Sequence, residues 1–211
     1  MVKTKHKIIV ASAMHGRHDT VRYCLEKLKD ITVHMVYSSD KDGEFLKQFP
    51  NVIRTKHENL PLARKWNSVI RSLANYPFDA VILLGSDDYV DDNFLRFIDE
   101  NIRKYDLIAF SDMYFEQGKQ RYYWGGYGGS RAGEPAGAGK TYTKKFLQKV
   151  NFDLFGDTVN RGLDGYSWRL CKRNNAKILV TSLKENNLYC ADIKDGLGIT
   201  QLTSIKGIIQ L

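Results

Sequence analysis

The stretch Val81-Ile82-Leu83-Leu84-Gly85-Ser86-Asp87-Asp88-Tyr89-Val90-Asp91-Asp92 decides how the rest of the chain is read. Ala80 to Leu84 is the most hydrophobic strand-length run, long enough for a buried strand and far too short to cross a bilayer. A strand apolar on both faces belongs in the middle of a parallel sheet covered on both sides. This one stops abruptly in carboxylates. In open α/β sheets, ligands bind outside the carboxyl ends of the strands. Hard oxygen ligands placed there suit Mn²⁺ or Mg²⁺, which need few protein carboxylates when phosphates supply the other ligands. The plainer alternative is that acids merely cap the helix that follows, and Asp91 and Asp92 are placed for that. Asp87 and Asp88 remain as the metal candidates.

Working outward, short apolar runs alternate with helical patterns, as in a sheet with covering helices. Strands are expected at Lys7 to Ala11, Val33 to Tyr37, near Val52 and Ile53, Leu107 to Phe110 and Lys177 to Thr181. Helices are expected at Thr20 to Leu28, capped by Asp19 or Thr20, and from Pro61 as first helical residue through Leu73. Three more fit Phe94 to Ile102, Thr143 to Val150 and Asp164 to Arg173. Between them, Gly118 to Gly139 holds eight glycines with Tyr122, Tyr123, Trp124 and Tyr127, read as a long functional loop or a strand pair. The expectation is one α/β domain over 1–211, with a first half to about 110, a second to about 181 and an irregular extension after it.

The 211 residues carry a net charge of +8, unevenly. Residues 1–110 hold 17 Lys/Arg against 15 Asp/Glu, whereas 111–211 hold 15 against 9, which points to an anionic partner. Cys24, Cys171 and Cys190 are widely spaced within largely apolar patterns and read as buried free thiols. The basic start, Met-Val-Lys-Thr-Lys-His-Lys, has no apolar leader pattern after it. Cytoplasmic residence is therefore expected.

Several segments together resemble one family. Ser86-Asp87-Asp88 looks like the DxD motif of GT-A glycosyltransferases, particularly family-2-like enzymes, with Ser86 in place of the first acid. In that family the last acid ligates the metal on the donor diphosphate, which maps to Asp88. Ile8 to Ala13, including Ser12, resembles the first strand and nucleotide loop. Ser38-Ser39-Asp40 resembles the turn whose acid reads the nucleoside. Leu60 to Asn67 resembles the Ala-Arg-Asn helix start, with two extra residues between Arg64 and Asn67 and with Lys65 among them. Arg161 to Leu170 resembles the Glu-Asp segment whose aspartate deprotonates the acceptor hydroxyl; Asp164 is retained and Leu163 replaces the glutamate. A plain helix start remains the alternative for Asp164. The family's late histidine ligand has no counterpart, since the histidines stand at 6, 15, 18, 34 and 57, so water or Asp192 would complete a metal shell.

The resemblance implies a metal-dependent inverting transferase using a nucleotide sugar such as UDP-glucose, with Lys140 near phosphate. It also resembles small phage-type enzymes that glycosylate hydroxymethylated pyrimidines in DNA. Lys119 to Lys149 suits such an acceptor, because Tyr123, Trp124 and Tyr127 are interleaved with cations that include Lys144 and Lys145. A glycan, lipid-linked or protein acceptor stays open, as do a sugar-phosphate nucleotidyltransferase and a non-catalytic binding module. Gly133 to Thr141 imitates a phosphate loop, but Glu134 stands where the Walker spacing needs glycine.

Overall fold

The computed structural model describes residues 4–196 and 201–211. Ile8–Ala13 (β1), Val33–Tyr37 (β2), Val52–Lys56 (β3) and Ala80–Leu83 (β4) are hydrogen-bonded in parallel. Leu107–Phe110 (β6) and Ile178–Thr181 (β10) form another parallel pair. The short antiparallel strand Thr141–Thr143 (β9) joins the two groups. The resulting seven-stranded sheet runs β10-β6-β9-β4-β1-β2-β3, with the apolar run at its centre, as the sequence requires.

Period-two alternation sends the side chains of each central strand into two different cores. Ala80, Ile82 and Leu84 face the layer of His18–Lys27 (α1), Asp40–Leu46 (α2) and Asp92–Asn101 (α4). Val81 and Leu83 face Leu62–Ser72 (α3), Lys144–Lys149 (α5) and Leu163–Arg173 (α6). Val10, Ile82, Val81 and Phe94 are all fully enclosed. Truncating any one of them to alanine would cost about 2–5 kcal/mol through lost burial and an unfilled cavity.

A second sheet stands against the end of the first. It comprises Asp88–Val90 (β5), Met113–Gln117 (β7), Gln120–Trp124 (β8), Cys190–Ile193 (β11) and Ile208–Gln210 (β12), in the order β12-β8-β7-β11-β5. The turn Gly85-Ser86-Asp87 takes the chain directly from the central strand of one sheet to the edge strand of the other. The paired acids therefore lie where the two sheets meet.

Local outcomes separate by cause. Asp91 caps α4, its carboxylate accepting from the Phe94 N–H at 2.8 Å. The expected cap at Asp19 or Thr20 is corrected: Arg17, in the left-handed region at φ 56°, precedes α1, which begins at His18. Pro61 is the residue before α3 rather than its first. The segment after 181 contains β11 and β12, so within the described residues it is part of the second sheet rather than an irregular extension. The three cysteines are free and buried. Among the described residues no helix is long and apolar enough to cross a membrane.

Candidate functional site

The cleft opens at the carboxyl ends of β1 and β4. Its first wall is acidic. Asp88 begins β5 and lies directly opposite Asp192 of β11 in the antiparallel register. The Asp87 backbone is tied to the same strand, its carbonyl accepting from the Ile193 N–H at 2.7 Å. Carboxylate oxygens of Asp87, Asp88 and Asp192 all lie within 4.8 Å of one another. Like charges opposed across a ladder are destabilising, and the site shows it. Burial, then the charges of Asp192 and Asp87, hold the Asp88 carboxyl well above the usual range. Burial and Asp87 push Asp192 upward too, with Lys194 and Arg17 working the other way.

Two cations partly balance this wall. The Lys194 ammonium donates to Asp192 at 2.6 Å. Arg17 donates through Nη1 to Asp87 and through Nε to Asp195, each at 2.7 Å, and through Nη2 to the Ile193 carbonyl at 3.3 Å. Burial works against the Arg17 charge, but the two carboxylates more than offset it. One carboxylate oxygen of this wall, Asp192 Oδ1, is buried with no hydrogen-bond partner among the described residues. An excess of crowded carboxylates with an unsatisfied oxygen fits a divalent cation bound through oxygen.

The opposite wall carries Asp164. Gly162, at φ 70°, turns the chain into α6, so Asp164 falls in the first helical turn with its side chain 46% exposed. Beneath it is Lys140, 1% exposed, which donates to the Asp164 carbonyl at 3.0 Å and sits 3.8 Å from Oδ1. Burial lowers the Lys140 pKa, and the Asp164 charge works against that. Gly137 closes over the same carboxylate: a Cβ there would lie 2.6 Å from Oδ2 and 2.7 Å from Oδ1. Only glycine permits that approach.

Both walls line two adjoining cavities. One, of about 580 Å³, is bounded by Met14, His15, Arg17, Lys65, Trp66 and the acids. The other, of about 520 Å³, shares Asp87, Asp88, Asp164 and Asp192 and adds Trp124, Tyr127, Met113, Phe115, Ile205 and Lys206. Trp124 meets Tyr127 edge-on at 4.7 Å between ring centroids.

The structure thus brings Asp87, Asp88, Asp164, Lys65, Lys140, Trp124 and Tyr127 around one cleft. It does not bring the other sequence candidates there. Ser12 is buried in β1, outside the lining of either cavity. Asp40 is exposed and paired with Lys56, and Arg64 lies on the solvent side of α3. Asn67 is buried, donating to the Phe155 carbonyl and Asp157 and accepting from the Leu154 and Phe155 N–H groups, so it pins that loop. Tyr123, on β8, donates to Asp112, and Lys144 and Lys145 line a separate cleft. Sequence reasoning missed Arg17, Lys194 and Gly137. Arg17 reaches acids 70 and 178 positions away, where no local pattern signals it, while Lys194 pairs with Asp192 two positions before it.

No protein-family model matches the sequence, and no curated protein matches it. Solved structures do match in fold. Residues 1–349 of Staphylococcus aureus TarS, in complex with UDP-GlcNAc, share 17% identity at a TM-score of 0.63, over 89% of this chain and 58% of that one. A second TarS 1–349 structure matches over 62% of its length, so the chain spans about six-tenths of these TarS fragments. A putative nucleotide-diphospho-sugar transferase from Desulfovibrio desulfuricans G20 shares 12% identity at a TM-score of 0.53, over 88% and 81% of the two chains. The inositol-1-phosphate CTP transferase of T. maritima shares 12% at 0.57, over 95% and 96%. The α/β fold is what the chain shares with these solved structures.

Proposed function

We propose that this chain is an inverting glycosyltransferase that moves a sugar from a nucleoside-diphosphate donor, a uridine-diphosphate sugar, to an acceptor hydroxyl. One observation carries the reading: the acid triad and Asp164 face each other across a single cleft at the carboxyl ends of the central strands. The TarS complex with UDP-GlcNAc, similar in fold, supports the choice of donor.

Asp88, Asp87 and Asp192 would hold Mn²⁺ or Mg²⁺. When bound there, the cation neutralises the charge that develops on the departing diphosphate. The remaining work belongs to the chain. Lys65 and Arg17 line the same cavity and supply positive charge toward phosphate. Asp164 accepts the proton of the acceptor hydroxyl, whose oxygen attacks the anomeric carbon as the bond to the diphosphate breaks. The nucleoside diphosphate leaves with that electron pair. Lys140 and Gly137 fix where the Asp164 carboxylate can stand. Attack from the face opposite the leaving group inverts the anomeric carbon. Trp124 and Tyr127, in the cavity that Asp164 also lines, suit an acceptor ring that stacks.

The test is a donor and acceptor panel. UDP-sugars with Mn²⁺ should release UDP slowly alone and faster with the correct acceptor, among DNA bearing hydroxymethylated pyrimidines, glycans and peptides. Retained anomeric configuration would remove Asp164 from the base role. A second reading has its own support, because the CTP transferase matches nearly end to end. Pyrophosphate released from CTP in the presence of a sugar phosphate or inositol phosphate, with no UDP released from any UDP-sugar, would establish that reading instead.

A further inference from the structure

The cations that the sequence places in one acceptor stretch divide between two ends of the molecule. Lys140 and Lys144 bracket the three-residue strand β9. Lys140 belongs to the catalytic end, where its carbonyl accepts from the Leu83 N–H. The Lys144 N–H instead bonds the Asp79 carbonyl, just before β4 begins. A four-residue strand separates these ends by roughly 13 Å.

At the far end lies a cleft of about 490 Å³, built from the end of α4, the starts of β6 and β10, and the first turn of α5. Arg103, Lys104, Lys144, Lys145 and Lys177 line it against only two carboxylates, Asp79 and Asp106. Both acids have backbone duties: Asp79 accepts from the Lys7 N–H at 2.7 Å and Asp106 from the Lys177 N–H at 2.9 Å. None of the five cations takes part in an ion pair among the described residues. Arg103 donates to His6, Lys144 to the Tyr76 carbonyl and Lys104 to Asn101, all neutral acceptors or a ring nitrogen.

We propose that this cleft is a docking surface for the phosphate backbone of a nucleic acid, separate from the catalytic cleft. Cations set on three chain segments around a concavity match a ligand whose charges repeat along its length. A bilayer surface is the poorer match. The exposed large apolar residues Tyr23, Ile53, Leu60, Ile209 and Leu211 all lie outside this cleft, leaving nothing here to insert below headgroups. The surface reads no base, so it would hold nucleic acid of any sequence, and its affinity would depend steeply on salt.

The test uses fluorescence anisotropy with a labelled duplex and a labelled single strand of mixed sequence, titrated with the full chain from about 50 to 200 mM salt. With several of the five cations engaged, log affinity against log salt should fall with a slope of roughly −3 to −4. Lys104→Glu with Lys177→Glu should weaken binding about tenfold or more and flatten the slope. Lys41→Glu with Lys119→Glu makes the same change in net charge on α2 and on the β7–β8 turn, and should weaken binding no more than about twofold. Equal losses in the two double variants would overturn the proposal, since binding would then follow net charge alone. Salt-insensitive binding would overturn it as well, as would capture by vesicles rich in anionic lipid without capture of either nucleic acid. Hydrolysis of UDP-sugar by the Lys104/Lys177 variant should match the wild type. A loss of nucleic-acid binding is thereby distinguished from a failure of the transferase reading.

Discussion

Two carboxylate walls face each other across one cleft, and their surroundings differ in nearly every respect. On the first, Asp87, Asp88 and Asp192 crowd within 4.8 Å, burial raises two of their pKa values, and one oxygen has no partner among the described residues. On the second, Asp164 stands alone and half exposed over a buried lysine, under a glycine that leaves room for nothing else. Crowding of the first kind suits a multivalent cation; isolation of the second kind suits a group that exchanges a proton with a substrate. Identical side chains are assigned different tasks by what packs around them.

The largest expected effect breaks the first wall. Asp88→Asn keeps the shape and can still accept from the Gly85 N–H, but it removes a buried carboxylate. Mn²⁺-dependent release of UDP should fall by about 10³-fold, the equivalent of several kcal/mol of lost charge stabilisation. In metal-free buffer the same variant should melt higher than the wild type, because a repelling charge has left the triad. A lower melting point together with unchanged Mn²⁺-dependent turnover would show that these acids serve the fold instead.

The second wall should respond differently. Asp164→Asn should lower the rate of transfer by about 10²–10⁴-fold, the usual share of a general base, while donor affinity and Mn²⁺ affinity stay close to wild type. If donor affinity collapses in step with the rate, Asp164 contacts the donor, and the contrast between the walls disappears. A gentler version leaves the acid in place: Gly137→Ala inserts a methyl where the carboxylate now sits. Transfer should drop by about one to two orders of magnitude, since misplacement by an ångström costs on the order of 10²-fold. Titration of Mn²⁺ by electron paramagnetic resonance should be unaltered in this variant, because the triad lies on the other wall.

Much of the first wall is legible in the sequence, because its signals are local. Five apolar residues followed by Gly-Ser-Asp-Asp announce both the central strand and the acids at its end. Its third acid, Asp192, enters the sequence reading only as one option beside water, because it meets Asp88 through antiparallel pairing of two short strands a hundred positions apart. The helix at Asp40–Leu46 is hidden for another reason. Asp-Lys-Asp-Gly reads as a turn, and Gly43 is there because a Cβ would lie 2.6 Å from the Tyr37 ring. Strand β9 is three residues long and runs straight into α5, so periodicity has nothing to work with. The cationic stretch misleads in the opposite way. Neighbours in sequence, Lys140 and Lys144, emerge at opposite ends of one strand.

The smallest expected effect concerns the buried cation of the cavity beside β1, and it separates burial from pairing. Lys65 is 1% exposed, and its ammonium donates to the Met14 carbonyl at 2.6 Å and to Asn59 Oδ1 at 2.9 Å. Those two acceptors satisfy the two hydrogens of a neutral amine and leave a third proton without a partner. Burial accordingly lowers the Lys65 pKa to about 8, against a weaker upward pull from Asp42. The folded chain then releases this proton near pH 8, while the unfolded chain holds it to the ordinary lysine value. Between those limits the unfolded state binds more protons, so stability from this group rises with pH. Urea unfolding of the wild type and of Lys65→Met, repeated from pH 7 to pH 10.5, isolates the group from the tyrosines and cysteines that also titrate there. The wild type should gain on the variant across that range by up to about 3 kcal/mol. A flat difference would mean that Lys65 keeps an ordinary pKa, with its third proton solvated or met by an anion. Saturating UDP should itself flatten the difference, because a diphosphate in the cavity that Lys65 lines would hold the ammonium charged in the folded state. If UDP leaves the rise unchanged, the diphosphate does not reach Lys65, and the donor lies closer to the acid wall than to the β1 loop.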